Sequence, residues 1–366
     1  MKAALLLTGS ELLTGLRADS LVQPFTAMLK SKGINVAEVR IIPDSPDVLS
    51  STVTDLIKKA NMIIVTGGLG DTPDDTTRLA LDMLCESMGP KEASKGYIDN
   101  PVGLAKGIDV DVEGVRVIFL PGVPKEANVM LKNVLESLPD HLSEEAVIPV
   151  FGLRENEVVE YIDSLADKCS FLPKDMEVKI IAPMDSEQDI RRKLGRYALE
   201  GHDISSCLGL LLKKRGLTFA SAESCTGGLI GHLVTQEPGS SEYFKGAIVA
   251  YSNDIKINVL GVSARDIEHH GAVSGEVVEG MLLGALKATG ADVGVATTGI
   301  AGPSGGTQSK PVGTVWIAAG SLDDHIKRCF HFKFGRQRNK MITAKVSLFM
   351  LRTFIYDKDI YSRSSS

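Results

Sequence analysis

A serine flanked by small residues, ESCTGG at positions 223–228, stands where a β-rich run (LTFAS) gives way to a helix-like one (LIGHLV). A hydroxyl at such a junction can act as a nucleophile, and the backbone N–H groups of Cys225 to Gly228 can meet an anion that the glycines let approach closely. The competing role for Ser224 is that of a helix N-cap. The stretch is not a GxSxG elbow, and no Ser-His-Asp order is evident. In AYSNDIK (250–256) a strand end runs into a helix carrying a hydroxyl, an amide and Lys256. A lysine that is buried, or set beside another cation, loses its proton more readily and can serve a serine as base; otherwise Lys256 is a solvated surface residue. TTGIAGPSGG (297–306) has the Gly and hydroxyl density of an anion-cradling loop, and equally of a turn-rich connection. FGRQRNK (334–340) puts Arg336, Arg338 and Lys340 at the start of a helix, the unfavourable end for positive charge, which a phosphate ligand would explain. Near the N-terminus, Asp74 and Asp75 close the Gly-rich TGGLGDTPDD (66–75), and Glu11 and Asp44 fall at neighbouring strand ends. Such carboxylates can hold a divalent cation against a diphosphate, or in the case of Asp74 and Asp75 simply cap the next helix.

The elements that must position these residues read as βα repeats. From Lys2 to about Leu138, short β-rich runs (KAALLLT, INVAEVRII, NMIIVTGG, VRVIFLPG) alternate with amphipathic stretches of helix length, the pattern of a mostly parallel sheet between helical layers. Ligand sites in such folds lie beyond the carboxyl ends of strands, where TGGLGDTPDD and LPGVPKE fall. A small charged segment without Gly-rich loops follows. From Asp203 the alternation resumes through LTFAS, GAIVAYS, DVGVATTG and GTVWIAAG, and closes with a helix from about Arg336 to Phe354 and a Ser-rich tail that reads as frayed. The expected architecture is α/β: two α/β/α sandwich domains with mostly parallel sheets (1–147 and 203–366), joined by a small α+β connector (148–202).

Composition narrows the function classes. At 366 residues the chain is long enough for more than one core, and 23 % charged with 43 % hydrophobic residues is ordinary for a globular protein. A net charge of −6, with no block of like charges, offers no electrostatic footprint for nucleic acid. The five cysteines are scattered and never form a CxxC pair, which points to reduced thiols and a cytosolic compartment. The apolar run from Ala3 to Leu7 is too short for a signal sequence or a membrane span and reads as a first strand.

Taken together, AESCTGGLIGHLV, PGSSEYFKGAIVAYSNDIK followed by LGV, HGAVS, TTGIAGPSGG and KPVGTVWIA resemble, in order and spacing, the C-terminal domain of the CinA (competence/damage-inducible protein A) family. GSELLTG, TGGLGDTPDD and NPVGLAKG with LPGVPKE resemble its N-terminal molybdopterin-binding-like domain. The resemblance covers nearly the whole chain and is weakest across about 150–205. It implies a C-terminal amidohydrolase that converts nicotinamide mononucleotide (NMN) to nicotinic acid mononucleotide and ammonia without a cofactor. By that resemblance Ser224 is the nucleophile, Lys256 and Tyr251 activate it, and Thr298 is a hydroxyl at the reacting amide. Substrate contacts are expected from Glu223, Thr226, Gly227, Gly228, Gly302 and Gly305. Arg336 resembles the family's phosphate-side arginine, but GRQRNK departs from the commoner spacing, so Arg338 or Lys340 could share or take that role. His232, His269 and His270 fit no triad and read as structural. Some family members hydrolyse ADP-ribose in the N-terminal domain, where Asp74, Asp75, Glu11 and Asp44 would be the metal ligands. Here Asp71 stands where the family usually has Pro, and the run from Leu84 to Asn100 is shorter than typical. The implied partners are small nucleotides, with neither nucleic acid nor membrane, and the expected assembly is a homodimer. The rival expectation is a nucleotide- or pterin-binding regulator without catalysis.

Overall fold

The structure, a computed structural model, describes residues 1–69, 77–88, 95–139 and 145–363. The chain divides into two compact units, Met1–Glu144 and Glu145–Ser366. In the first, strands β1 (Lys2–Thr8), β2 (Asn35–Ile42), β3 (Met62–Thr66), β4 (Lys95–Ile98), β5 (Gly107–Val112) and β6 (Val115–Leu120) form one sheet in the order β2-β1-β3-β6-β5-β4. The pairs among β2, β1, β3 and β6 are parallel, whereas β5 and β4 are added antiparallel. The uninterrupted apolar run of β1 is what a strand covered on both faces requires. Ala3, Leu5 and Leu7 face a core that includes Phe25, Leu29, Met130 and Leu131, and Ala4 and Leu6 face one that includes Leu49, Val53, Leu56 and Leu81. These residues come from α2 (Val22–Ser31) and α5 (Pro124–Glu136) on one side, and α3 (Pro46–Leu56) and α4 (Thr77–Met88) on the other; a single turn of helix, α1 (Ser10–Leu13), follows β1. Three layers result, helices over sheet over helices.

The second unit opens with an antiparallel sheet of β7 (Glu145–Phe151), β8 (Ser170–Lys174) and β9 (Glu177–Pro183), ordered β7-β9-β8. One face carries α6 (Glu155–Ile162) and α7 (Glu187–Leu194), through Val158, Ile162, Ile190 and Leu194 against Ile148, Val150 and Ile180. Asp175 and Met176 join β8 to β9 at φ 49° and 68°, the positive pair that a two-residue hairpin needs to match strand twist.

The larger part of this unit begins with α8 (Ile204–Arg215) and β10 (Phe219–Glu223), then α9 (Leu229–Thr235), β11 (Phe244–Val249), α10 (Asn253–Asn258), α11 (Ala264–His270), α12 (Gly275–Thr289), β12 (Val293–Gly299), β13 (Thr314–Gly320), β14 (His325–His331) and α13 (Arg336–Arg363). Its sheet is ordered β11-β10-β12-β13-β14, parallel among the first three strands. Phe219 and Val295 pack with α8, α9 and α13, while Ala220, Ala222 and Ala296 pack with α12. Two details depart from the sequence reading. GTVWIAAG does not continue the βα alternation but runs antiparallel to β12 and turns back into β14, HIKRCFH. The last helix does not stop at Phe354 but runs to Arg363, because 355–363 contains neither Gly nor Pro to end it. That helix also binds the small sheet: Arg338, Lys345 and Arg352, seven residues apart and so on one face, meet Asp175, Glu177 and the carbonyls of Arg196 and Ala198. Among the described residues, no helix is long and apolar enough to cross a membrane.

Candidate active site

β10 is buried at every position and lies between β11 and β12, so the residue that follows it emerges at the carboxyl edge of the parallel strands. That residue is Ser224, 8 % exposed, its N–H bonded to Thr297 O at 3.0 Å. Gly227 and Gly228, at φ 61° and 90°, then turn the chain into α9. Ser224 does not cap this helix: the N-cap position is Gly228, which has no side chain to do so.

The charge at the start of α9 comes from the protein itself. Glu223 is fully buried, and its carboxylate accepts the N–H groups of Gly228 (2.9 Å), Ile230 (3.1 Å) and Gly231 (2.9 Å) and the hydroxyl of Ser221 (3.3 Å). Two expectations are thereby corrected. Glu223 does not face substrate, because its oxygens hold the turn in place. Nor do all the amides from Cys225 to Gly228 await an anion: Gly228 N–H bonds Glu223 and Gly227 N–H bonds Ser224 O (3.1 Å), leaving those of Cys225 and Thr226 without a partner among the described residues. Thr226 is likewise turned inward, its hydroxyl paired with that of Thr297 at 2.9 Å.

Ser224 opens into a cavity of about 210 Å3 that is also lined by Cys225, Tyr251, Asn253, Lys256, Thr298, Ala301 and Arg336, among others. Lys256, on the short helix α10, is 2 % exposed and not a surface residue. Its Nζ donates to Ala250 O (2.9 Å) and Tyr251 O (3.1 Å), and burial lowers its pKa below the usual lysine range, opposed only by the neighbouring Cys225. Burial pushes the Cys225 thiol up to about 12, which keeps it protonated. Thr298, at the end of β12, donates its hydroxyl hydrogen to Ala272 O at 2.7 Å.

The rim is polar and open. Tyr251 is 63 % exposed, and its OH accepts from Arg336 Nη2 at 3.2 Å; Arg336 Nη1 donates to Gly302 O at 2.8 Å. Gly302 has φ 90°, and a Cβ there would come within 2.5 Å of Val312, so only glycine fits. Gly305 is exposed on the same loop and does not line the cavity. Of the other two cations at the start of α13, Arg338 belongs elsewhere, as a correction to its expected substrate role: it pairs with Asp175 (3.2 Å) and stacks over Phe334 (4.3 Å). Lys340 is half-buried, near enough that a Cβ on Gly227 would lie 3.6 Å from its Nζ. Two residues escaped the sequence reading. Asn253 was visible only as an amide in AYSNDIK; Asn339 was hidden among the cations of FGRQRNK.

In the first unit, Glu11 and Asp44 line a cavity of about 630 Å3 with Thr8, Gly67, Gly68 and Gly122. Asp44 accepts Ser10 N–H at 2.8 Å, and Glu11 lies 3.6 Å from Arg17. Asp74 and Asp75 lie outside the described residues. The His/Cys/Asp/Glu group whose spacing suits a metal ion, among the described residues, is instead His202, Asp203 and Glu237, none of which lines either cavity.

The sequence model of the CinA C-terminal domain matches residues 202–355, and that described as "Probable molybdopterin binding domain" matches residues 4–140. A CinA-like protein of Citrifermentans bemidjiense is 34% identical over 404 residues, spanning 97% of this chain and 98% of its own. A CinA-like protein of Thermotoga maritima is 34% identical over 406 residues, spanning 98% of this chain and 99% of its own. Among solved structures, the competence/damage inducible protein CihA from Agrobacterium tumefaciens is 36% identical, with a TM-score of 0.40, over 43% of this chain and 98% of that one.

Proposed function

Since this chain belongs to the CinA family, we propose that its Ser224 cavity hydrolyses the amide of NMN to nicotinic acid mononucleotide and ammonia. The observation that carries this reading is the pairing, in one cavity, of a cavity-lining serine with a buried lysine whose amine is already tied to two carbonyls. When Lys256 is neutral, those carbonyls take both of its hydrogens and leave the lone pair as the remaining direction on nitrogen. Lys256 then accepts the Ser224 proton as Oγ attacks the amide carbon, and the N–H of Cys225, a residue that lines the cavity, meets the oxyanion. The same proton passes to the departing ammonia as the C–N bond breaks. Water, deprotonated in turn by Lys256, cleaves the acyl ester and restores Ser224.

The cavity is smaller than the roughly 300–1,000 Å3 that encloses a whole drug-sized ligand, so the nicotinamide ring enters and the ribose phosphate extends to the rim. There Arg336 keeps donors beyond those used for Gly302 and Tyr251, and a guanidinium can meet two phosphate oxygens at once. The test is ammonia release from NMN by the full-length protein in excess chelator. Ser224→Ala should abolish turnover at unchanged melting temperature, and unchanged turnover in that variant would remove Ser224 from the mechanism.

The roomier cavity of the first unit favours a second activity, cation-dependent hydrolysis of ADP-ribose. Glu11 and Asp44 would hold the cation, which neutralises and polarises the diphosphate. AMP release that requires a divalent cation and ignores Ser224→Ala would support it; its absence across several cations would leave that unit a binding module.

A further inference from the structure

Arg336 is exposed, and on its own a long surface side chain samples many rotamers. What fixes its base is three residues further along the first turn of α13. Asn339 is 1 % exposed, and its side chain makes three hydrogen bonds to backbone. Nδ2 donates to Phe334 O (2.8 Å) and to Ala301 O (3.1 Å), while Oδ1 accepts Phe334 N–H (3.2 Å). Its backbone N–H bonds Gly335 O at 2.9 Å. Phe334 and Gly335 are the two residues that lead into Arg336. Ala301 lines the cavity, and the next carbonyl along, that of Gly302, is the one that receives Arg336 Nη1. One buried amide thus ties together the start of the helix that carries the guanidinium and the loop against which the guanidinium rests.

No other side-chain type of this size supplies two donors and an acceptor in that arrangement. Asp lacks the donors, and Leu would take away the partner of all three backbone groups, the Ala301 carbonyl among them buried. We propose that Asn339 is a positioning residue for substrate recognition, holding Arg336 and the 301–302 loop in the one register that meets the phosphate of a mononucleotide. The proposal rests on the amidase reading of the Ser224 cavity. It gives Asn339 no contact with substrate, and it predicts a selective defect: recognition of the phosphate fails while chemistry at the amide persists.

The experiment compares kcat/KM for NMN and for nicotinamide riboside, which lacks the phosphate, in wild type, Asn339→Ser, Asn339→Ala and Arg336→Gln, with melting temperatures recorded alongside. Asn339→Ala should lower kcat/KM for NMN about tenfold or more, within the range for losing a charged hydrogen bond, and leave the riboside nearly unchanged. Asn339→Ala combined with Arg336→Gln should be no worse on NMN than Arg336→Gln alone, because both remove the same interaction. Equal losses on both substrates, additive losses in the double variant, or no loss at all would overturn the proposal. Should Asn339→Ala not fold, Asn339→Ser, which keeps one donor, carries the same comparison. A readout free of turnover is the rise in melting temperature with inorganic phosphate, which should shrink in Asn339→Ser; an undiminished rise also overturns the proposal. Wild type that releases no ammonia from NMN refutes the amidase reading by itself. NMN turnover with phosphate preference intact in the Asn339 variants refutes only the positioning role.

Discussion

Lys256 is the residue whose replacement interrogates the chemistry most directly. Replacing it by arginine keeps a cation in the cavity but removes the base, since a guanidinium has no lone pair to offer and does not deprotonate in proteins. A positioned general base contributes about 10²- to 10⁴-fold, or about 2.7–5.5 kcal/mol of barrier, and Lys256→Arg should lose kcat/KM by that factor. The pH profile carries the sign. Burial lowers the Lys256 pKa, so the neutral, active amine gains population below the ordinary lysine value of about 10.4. In wild type, ammonia release should therefore rise with unit slope in log kcat/KM as pH increases and flatten at an inflection below that value. The rising limb should vanish in Lys256→Arg and in Lys256→Met. The methionine variant also removes the donor to Ala250 O and Tyr251 O, a loss of about 1–3 kcal/mol for the buried Ala250 carbonyl, so it should melt lower. Its turnover is interpretable only where it remains folded. The reasoning is refuted if Lys256→Arg keeps most of the wild-type rate, or if the rising limb survives in it unchanged.

Thr298 and Asp292 extend the tests to specificity and to stability. Because its hydrogen is held by Ala272 O, the Thr298 hydroxyl offers the cavity only lone pairs, which suit the NH2 of a carboxamide and repel the carboxylate of the product. Thr298→Val should weaken NMN by about 2- to 12-fold, the range of one neutral hydrogen bond, without weakening inhibition by nicotinic acid mononucleotide; parallel losses on both would refute this polarity. Asp292 ties the start of β12 to that of β10: its carboxylate accepts the Thr218 hydroxyl (2.6 Å) and N–H (2.8 Å), which lower its pKa. A depressed carboxylate pKa contributes stability above its unfolded value of about 3.9 that disappears as pH falls through the folded pKa. The unfolding free energy of wild type should thus exceed that of Asp292→Asn slightly at neutral pH, by under about 1 kcal/mol at so exposed a site, and the gap should close in acid; a gap that widens in acid would contradict the assignment.

The parts of the fold that were legible in sequence are those that periodicity controls. A strand covered on both faces must be apolar throughout, so β1, β3 and β6 announced themselves, and the amphipathic helices between them implied parallel connections. Sheet edges gave less away. β14 is exposed along much of its length and carries Lys327 and Arg328, so HIKRCFH shows no apolar run, and nothing local distinguishes its antiparallel hairpin from another βα turn. The β8–β9 turn is harder still, because it places Asp-Met where Asn-Gly or Asp-Gly is the usual signal.

At the site, the residues read correctly as neighbours and those misread differ in one physical respect: whether the partner that defines the role is near in sequence. Ser224, Tyr251, Lys256, Thr298 and Arg336 share a cavity because each lies at or beyond the end of a strand in the same sheet, a relation that strand order imposes and motif spacing reflects. Lys256 looked like a solvated residue because α10 is too short for its own pattern to show an inner face; its burial is set by the strand end behind it, where Ala250 and Tyr251 supply the carbonyls. Arg338 was read with Arg336 as one cationic cluster, but its partner Asp175 sits on a hairpin far earlier in the chain, and no local pattern encodes that pairing. Glu223 is the instructive intermediate case. Its partners are only five to eight residues away, yet a carboxylate beside a candidate nucleophile invites a chemical role, whereas three backbone N–H groups at the start of α9 needed an acceptor and Gly228 had no side chain to provide one. The missing N-cap side chain was the signal: a strand ending in Glu, followed by a glycine pair where a capping residue belongs, leaves that glutamate as the nearest group able to satisfy the turn that exposes Ser224.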